Sequence, residues 1–186
     1  LPLRLRIAKT CTRIWAMVYE LPSDLQPGEK VLVSACALGE RTRYDGRGKA
    51  DLELIAALKK HKCEAIPVCP EIAGGLPTPR PPAEIKGGVP LDVFQSKQGV
   101  RIRTVVAAPH YPKGWDFTKE FLRGTEAVMQ TALQHGVRYA FFQERSPSCG
   151  VKQTHADGEL INAPGLTTVA LQAMGVEVLA ADGTAH

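Results

Sequence analysis

No stretch of this 186-residue chain is apolar for long enough to cross a membrane. The best candidate, Ile14 to Leu21, is short and carries Glu20, whereas a membrane helix needs about 20 apolar residues. A basic block that would follow a phosphate backbone is also missing. The formal net charge is +4, and the basic residues are spread along the chain. The composition favours one globular domain that does not enter membranes.

A disulfide framework and a local metal-binding motif are absent as well. The chain has five cysteines, an odd number at irregular spacing, and no two of them form a Cys-x-x-Cys pair. Unpaired cysteines of this kind are typical of a reducing compartment, so we expect a cytoplasmic protein. At least one thiol must be free or bound to a metal.

Acidic residues are absent from the first stretch, Leu1 to Arg13, which carries four basic ones. This pattern is typical of a targeting peptide, but a start at Met17 with an appended stretch before it explains it equally well. We therefore predict an N-terminal extension or leader over residues 1–29. A single α/β domain is predicted over residues 30–186.

Short apolar, β-rich runs alternate with helical patterns in the rest of the chain. The clearest helix is predicted from Asp116 to Gly136, where apolar residues recur every 3.6 positions. Strands that alternate with helices form a parallel sheet, so we predict a three-layer α/β fold with a mostly parallel, Rossmann-like sheet and helices on both faces. Residues 71–88 are rich in Pro and Gly, and we predict a loop there without regular helix or central strand. The strand before it, Cys63 to Val68, is expected to pair only through its first residues, because Pro67 interrupts it.

Three cysteines come directly after predicted strands: Cys36, Cys69 and Cys149. The carboxyl ends of parallel strands share one edge of a sheet, where ligands bind, so the fold would bring these thiols together. The alternative is that all three are inert, because free cysteine often packs as a small apolar side chain. Cys63 begins a strand and Cys11 lies in the predicted leader, so both are interpreted as bystanders.

A centre built from three thiolates suits iron and sulfide better than zinc. Structural zinc takes four protein ligands, and the histidines of the chain show no ligand spacing. A ligand set made only of soft thiolates favours an iron-sulfur cluster. With three thiolates on a cubane, one iron has no protein ligand and can act as a Lewis acid toward a substrate.

Polar residues close to these cysteines are candidates for catalysis. Glu71 is two residues beyond Cys69 and could activate water, although a loop glutamate that only faces solvent is an equal alternative. Ser146 and Ser148 precede Cys149, where they could bind an anion, orient water or simply shape the turn. Of the two, Ser148 is predicted to bind substrate.

The loop after the first cysteine contains Arg43, Tyr44 and Asp45. An aromatic ring between two charged side chains suits stacking and hydrogen bonding to a planar ring, so these residues are predicted to bind substrate. An ordinary surface turn is the alternative.

Five motifs, in this order, resemble those of the thiouracil desulfurase family. They are Val33-Ser34-Ala35-Cys36, Arg43-Tyr44-Asp45-Gly46, Val68-Cys69-Pro70-Glu71, Gly74-Gly75-Leu76-Pro77-Thr78-Pro79-Arg80 and Ser146-Pro147-Ser148-Cys149-Gly150. The resemblance runs from about Val31 to Val178. The sequence departs from the family pattern before Met17 and between Glu84 and Asp116, where we expect the pocket to differ.

The resemblance implies a 4Fe-4S cluster on Cys36, Cys69 and Cys149, whose free iron captures the sulfur of a thiocarbonyl such as that of 2-thiouracil. Glu71 would be the acid/base residue and Ser146 its helper, with water replacing the sulfur and no net electron transfer. A thiolated base or nucleoside is the expected substrate, and thiolated tRNA is a further candidate.

Two other functions remain open at this level. In the first, Cys149 is the nucleophile of a hydrolase, with His155 as the nearest candidate base. In the second, the same three thiolates carry metal or sulfur without catalysis.

Overall fold

The computed structural model describes residues 19–181, so Cys11, Met17 and the first part of the predicted leader lie outside the described residues. The strands are β1 (Lys30–Ser34), β2 (Glu64–Val68), β3 (Ala83–Lys86), β4 (Arg101–Thr104), β5 (Tyr139–Phe142), β6 (Thr154–Ala156), β7 (Glu159–Ile161) and β8 (Glu177–Ala180). The helices are α1 (Leu52–His61), α2 (Pro70–Ala73), α3 (Pro90–Phe94), α4 (Thr118–His135) and α5 (Leu166–Ala173), and a 3-10 turn spans Ala35–Leu38. None of the described helices is long and apolar enough to span a membrane.

The strands form two four-stranded sheets. The first has the order β2-β1-β5-β8 with all neighbours parallel. The second has the order β4-β3-β6-β7, in which β3 and β6 are parallel and the two outer pairs are antiparallel. The α/β class with a mostly parallel sheet is confirmed, whereas the second, mixed sheet was not foreseen.

Strand β1 shows why the first sheet is covered on both faces. Successive side chains of a strand point to opposite faces. Accordingly, Leu32 packs in a cluster with Val128 of α4 and Leu171 of α5. On the other face, Val31 and Val33 pack with Leu54 of α1. The sheet therefore lies between two helical layers, as predicted.

The described part of the predicted leader, residues 19–29, packs against the same domain. Leu25 is buried in the cluster on the α1 side of the sheet. The guanidinium of Arg138 binds Asp24 at 2.9 Å and Glu29 at 2.8 Å. This ion-pair network lies at the amino edge of the sheet, and the domain boundary at residue 29 stays a prediction.

Two local predictions in the proline-rich region were wrong. Strand β2 pairs with β1 along its whole length, including Pro67 opposite Val33. Because β2 is an edge strand, the missing N–H of Pro67 costs no ladder hydrogen bond. Residues 71–88 contain most of α2 and all of β3, which lies between β4 and β6. The prolines do not interrupt these elements, since Pro70 occupies the first helical position, where no N–H is needed, and Pro82 precedes the strand.

Two glycines allow the backbones of α2 and α4 to lie in direct contact. A Cβ atom at Gly124 would lie 1.8 Å from the carbonyl oxygen of Pro70, and one at Gly74 would lie 2.0 Å from that of Glu120. Real side chains do not approach backbone so closely. Any larger residue must push α2 away, together with Cys69 and Glu71.

Gly124→Ala should therefore destabilise the protein, although alanine usually stabilises a helix relative to glycine by about 0.5–1 kcal/mol. We expect the free energy of unfolding, measured with urea, to fall by about 1–3 kcal/mol because α2 must shift. Gln130→Ala, at an exposed position of the same helix, is the matched control and should change stability by less than about 0.5 kcal/mol. Equal stability of Gly124→Ala and the wild type would contradict this packing.

Candidate functional site

Cys36, Cys69 and Cys149 lie at one edge of the parallel sheet. They follow β1, β2 and β5, and these three strands are adjacent and parallel. The thiols are close enough to affect each other electrostatically: Cys69 raises the pKa of Cys36, and both raise that of Cys149. The structure thus brings the predicted trio together, from positions far apart in the sequence.

Burial is the main reason why all three thiols resist ionisation. It raises the pKa of Cys36 to about 11, with a smaller contribution from Cys69. It also raises the pKa of Cys69, and it raises that of Cys149, which is 7% exposed, well above its usual range. Thiolates this close repel one another, so the charged form of the trio needs a cationic centre to stabilise it.

Ser34 also influences the pKa of Cys149. Ser34, the last residue of β1, is buried, and its hydroxyl oxygen accepts a hydrogen bond from the backbone N–H of Gln143 at 3.0 Å. Burial and the neighbouring thiols raise the pKa of Cys149, and a hydrogen bond from Ser34 opposes that rise. Ser34 was not identified from the sequence, although it belongs to the motif that ends in Cys36.

The donor set fits an iron-sulfur cluster better than a single ion. Within residues 19–181, no three His, Cys, Asp or Glu side chains are close enough to hold one metal ion. One zinc ion would require every sulfur to lie about 2.3 Å from the same point. A 4Fe-4S cluster binds each thiolate through a different iron and so accepts more widely spaced sulfurs. Cys63 lies at the opposite end of β2 from Cys69 and is no ligand candidate.

The loop that carries Cys149 is shaped by Ser146. The Ser146 hydroxyl oxygen accepts hydrogen bonds from the backbone N–H groups of Ser148 at 3.2 Å and Cys149 at 3.1 Å. Its carbonyl oxygen accepts another from Gly150 N at 2.9 Å. The structure therefore places Ser146 as the organiser of the turn, and its predicted part in catalysis stays a prediction.

The start of α5 fixes the same loop from the other side. Leu166 N donates to Pro147 O at 2.8 Å, and the Thr168 hydroxyl donates to Cys149 O at 3.1 Å. Gly165 permits this contact, because a Cβ there would lie 2.5 Å from the carbonyl oxygen of Ser148. The position of Cys149 is thus set by backbone contacts on both sides of its loop.

The loop after Cys36 presents the predicted substrate-binding residues. Arg43 lies over the ring of Tyr44, 5.8 Å from its centroid, and its Nε is 3.4 Å from Oδ1 of Asp45. The Tyr44 side chain is exposed, so one face of the ring is available for stacking. The Tyr44 carbonyl oxygen accepts a hydrogen bond from Arg80 N at 2.9 Å, which ties this loop to the centre of the site.

Glu71 is held between two partners. Its Oε2 accepts a hydrogen bond from Arg80 Nε at 2.7 Å, and its Oε1 accepts one from the Ser148 hydroxyl at 3.0 Å. The alternative of a freely solvated loop glutamate does not describe this side chain, which is 15% exposed. The predicted substrate-binding residue Ser148 is buried, and its hydroxyl is directed at Glu71.

Arg80 is the main site residue that sequence analysis did not single out. Its side chain is only 3% exposed, which is rare for arginine. The available signal was its position at the end of the fourth motif, Gly74 to Arg80, where a charged residue follows a run of glycines and prolines. The contact with Glu71 depends on the folding of the loop between them.

A cavity of about 600 Å³ lies elsewhere, between α3, β4 and the start of α4. Its walls include Arg101, Trp115 and Glu120, and none of the predicted site residues lines it. The segment between Glu84 and Asp116, which was expected to change the pocket, contributes to this cavity.

The chain is similar to known proteins over most of its length. The model of the 2-thiouracil desulfurase family matches residues 31–183, which include all three thiols. The uncharacterized protein YbbK of Bacillus subtilis strain 168 is 33% identical over 152 residues, covering 80% of this chain and 93% of YbbK. The solved structure of the 4Fe-4S-dependent thiouracil desulfidase TudS (DUF523Vcz) is 38% identical, with a TM-score of 0.67 and coverage of 84% of this chain and 93% of that one.

Proposed function

Because this chain belongs to the 2-thiouracil desulfurase family, we propose that it removes sulfur from a thiolated pyrimidine such as 2-thiouracil with the help of a 4Fe-4S cluster. The observation that carries the proposal is the meeting of Cys36, Cys69 and Cys149 at one sheet edge, beside the anchored carboxylate of Glu71. The similarity to a desulfidase that depends on such a cluster supports it.

The three thiols would hold the cluster as thiolates. When bound, the cluster supplies a soft, Lewis-acidic iron without a protein ligand, which suits the sulfur of a thiocarbonyl better than the oxygen of a carbonyl. Cys149 sits in the most enclosed position of the three, whereas Cys36 and Cys69 are partly exposed. Substrate would therefore approach from the side of the Cys36 and Cys69 loops.

The overall reaction exchanges one oxygen for one sulfur. Water forms a bond to the ring carbon, the carbon–sulfur bond breaks, and both protons of water leave with sulfide as H₂S or HS⁻ plus a proton. The carbon keeps its oxidation state, so no electron donor is needed. The chain has to supply a group that accepts a proton from water and a site that orients the ring.

Glu71 is the group we assign to proton transfer. Each carboxylate oxygen has two lone pairs, and Arg80 and Ser148 occupy one on each oxygen. One acceptor position therefore remains on each oxygen for the attacking water. Ser146 assists by holding the turn of Cys149 in place through the two amides that it binds.

Arg43, Tyr44 and Asp45 are proposed to bind the pyrimidine. The exposed ring of Tyr44 offers a stacking surface, and the neighbouring charged groups offer a donor and an acceptor for the polar edge of the base. Ser148 would act on substrate through its hydrogen bond to Glu71. A free base, a nucleoside and a thiolated tRNA all present such an edge.

No specific observation favours the two other functions. A hydrolase nucleophile has to ionise readily, but burial raises the pKa of Cys149 well above its usual range. Its suggested partner His155 is an exposed residue of β6. A protein that only carries metal or sulfur has no need for a carboxylate held in place beside the thiols, as that of Glu71 is.

We expect anaerobically reconstituted protein to convert 2-thiouracil to uracil with release of one sulfide per uracil and without an added reductant. Chromatography of the base and a colorimetric sulfide assay measure both products. The protein without iron is the control and should release no sulfide. A panel of thiolated bases, nucleosides and bulk tRNA ranks the substrate classes. Iron-loaded protein that converts no member of the panel would disprove the proposed function.

A further inference from the structure

We infer that Arg80 is a positioning residue that fixes the Glu71 carboxylate relative to all three thiols. This inference rests on the proposed function and extends it to a residue outside the predicted catalytic set. Its basis is the hydrogen bonding of one buried guanidinium.

The guanidinium of Arg80 is almost fully committed to hydrogen bonds. Nε donates to Glu71 Oε2 at 2.7 Å, and Nη1 donates to Pro77 O and Thr78 Oγ1, both at 3.2 Å. Nη2 donates to Thr42 O at 3.0 Å. Four of the five N–H donors that an arginine possesses are thereby used, and the planar group cannot rotate without breaking several bonds at once.

These bonds connect the loops of all three cysteines. Thr42 belongs to the loop after Cys36, and its carbonyl oxygen also faces the sulfur of Cys69 at 3.8 Å. Glu71 lies two residues beyond Cys69 and is itself bound by Ser148, the neighbour of Cys149. Arg80 is therefore the link through which the carboxylate and the thiol-bearing loops share one geometry.

The structure also shows why lysine cannot replace this arginine. A lysine ammonium is a compact charge at the end of a flexible stem and has three donors instead of a planar fork of five. It can neutralise Glu71, but it cannot hold Glu71, Thr42 and the Pro77 loop in one plane. With only Ser148 as a directional partner, the carboxylate would then turn about its Oε1 contact.

The test is Arg80→Lys in cluster-loaded protein. We expect kcat to fall about 10- to 100-fold, because a small displacement of a catalytic group from its productive position is enough for such a loss. KM should change by less than about twofold, and iron per chain should equal that of the wild type, because the Arg80 guanidinium donates to protein groups and is not among the proposed substrate or cluster ligands. In the double variant Glu71→Gln/Arg80→Lys, kcat should fall no further than in Glu71→Gln alone.

Arg138→Lys is a matched control. Arg138 also binds a carboxylate through Nε, at 2.8 Å from Glu29, but it lies at the opposite edge of the sheet. Its substitution should leave kcat and KM unchanged. An unchanged kcat in Arg80→Lys, a loss that follows iron content, or additive losses in the double variant would each overturn the inference in favour of a purely structural role.

A second variant, Arg80→Ala, keeps the inference testable if Arg80→Lys folds poorly. Arg80→Ala leaves space for a guanidinium ion, and added guanidinium chloride at millimolar concentration should restore part of kcat at unchanged KM. Absence of rescue, or failure of both variants to fold, would also overturn the inference. Inactivity of the loaded wild type is a separate result that disproves the proposed function itself.

Discussion

Alanine at Cys36, Cys69 or Cys149 will abolish cluster binding, with iron falling from about four atoms per chain to near zero after anaerobic reconstitution. Each substitution removes one of three ligands, and the remaining two thiols cannot hold a cubane that already has one iron without a protein ligand. Broad absorbance at about 400 nm and sulfide release from 2-thiouracil should disappear together in all three variants.

Cys63→Ala is the matched control for these variants. Cys63 is a partly buried free thiol, but it lies before β2, at the other end of the strand from Cys69. Its substitution should leave iron content and activity as in the wild type. If any one of the three alanine variants kept a full cluster, that cysteine would not be a ligand and the assignment of the trio would be wrong.

Glu71→Gln will lower kcat by about 100- to 10,000-fold, the range that general acid/base groups contribute. Glutamine has nearly the shape of glutamate and can still accept a hydrogen bond from Arg80 through its oxygen. It cannot accept a proton from water, however, and its NH₂ group replaces an acceptor of the Ser148 hydroxyl. Iron per chain and the visible spectrum should stay as in the wild type, so that the loss is one of chemistry alone.

Glu64→Gln is the control for this substitution. Glu64 lies on β2 near the amino edge of the sheet, its side chain is 62% exposed, and its carboxylate lies 3.8 Å from the ammonium of Lys30. The kcat of Glu64→Gln should match that of the wild type. A Glu71→Gln protein that turned over at the wild-type rate with a full cluster would show that another group transfers the proton.

The sheet that carries the thiols was predictable because its signals are local. Apolar runs such as Val31 to Val33 are typical of a strand covered on both faces, and all three of these residues are buried. Parallel strands place their carboxyl ends at one edge, so three strand-end cysteines were expected to meet there. The long helix was equally clear, because its apolar residues recur every 3.6 positions, and it ends at Gly136 as predicted.

The parts that were missed depend on contacts between distant segments. Strand β3 is four residues long and exists because β4 and β6 pair with it on both sides. The bond from Arg80 to Glu71 requires the loop between them to fold back, and that of Ser148 to Glu71 joins residues 77 positions apart. Composition and periodicity carry no information on such pairings.

The adjacency of β2, β1 and β5 has a consequence for how the protein matures in the cell. Cys149 enters the site only after β5 has been inserted beside β1, which needs most of the chain to have left the ribosome. Iron and sulfide delivered to a nascent chain would meet two thiols at most. Assembly of the proposed cluster would therefore be a late event that stabilises only completely folded molecules.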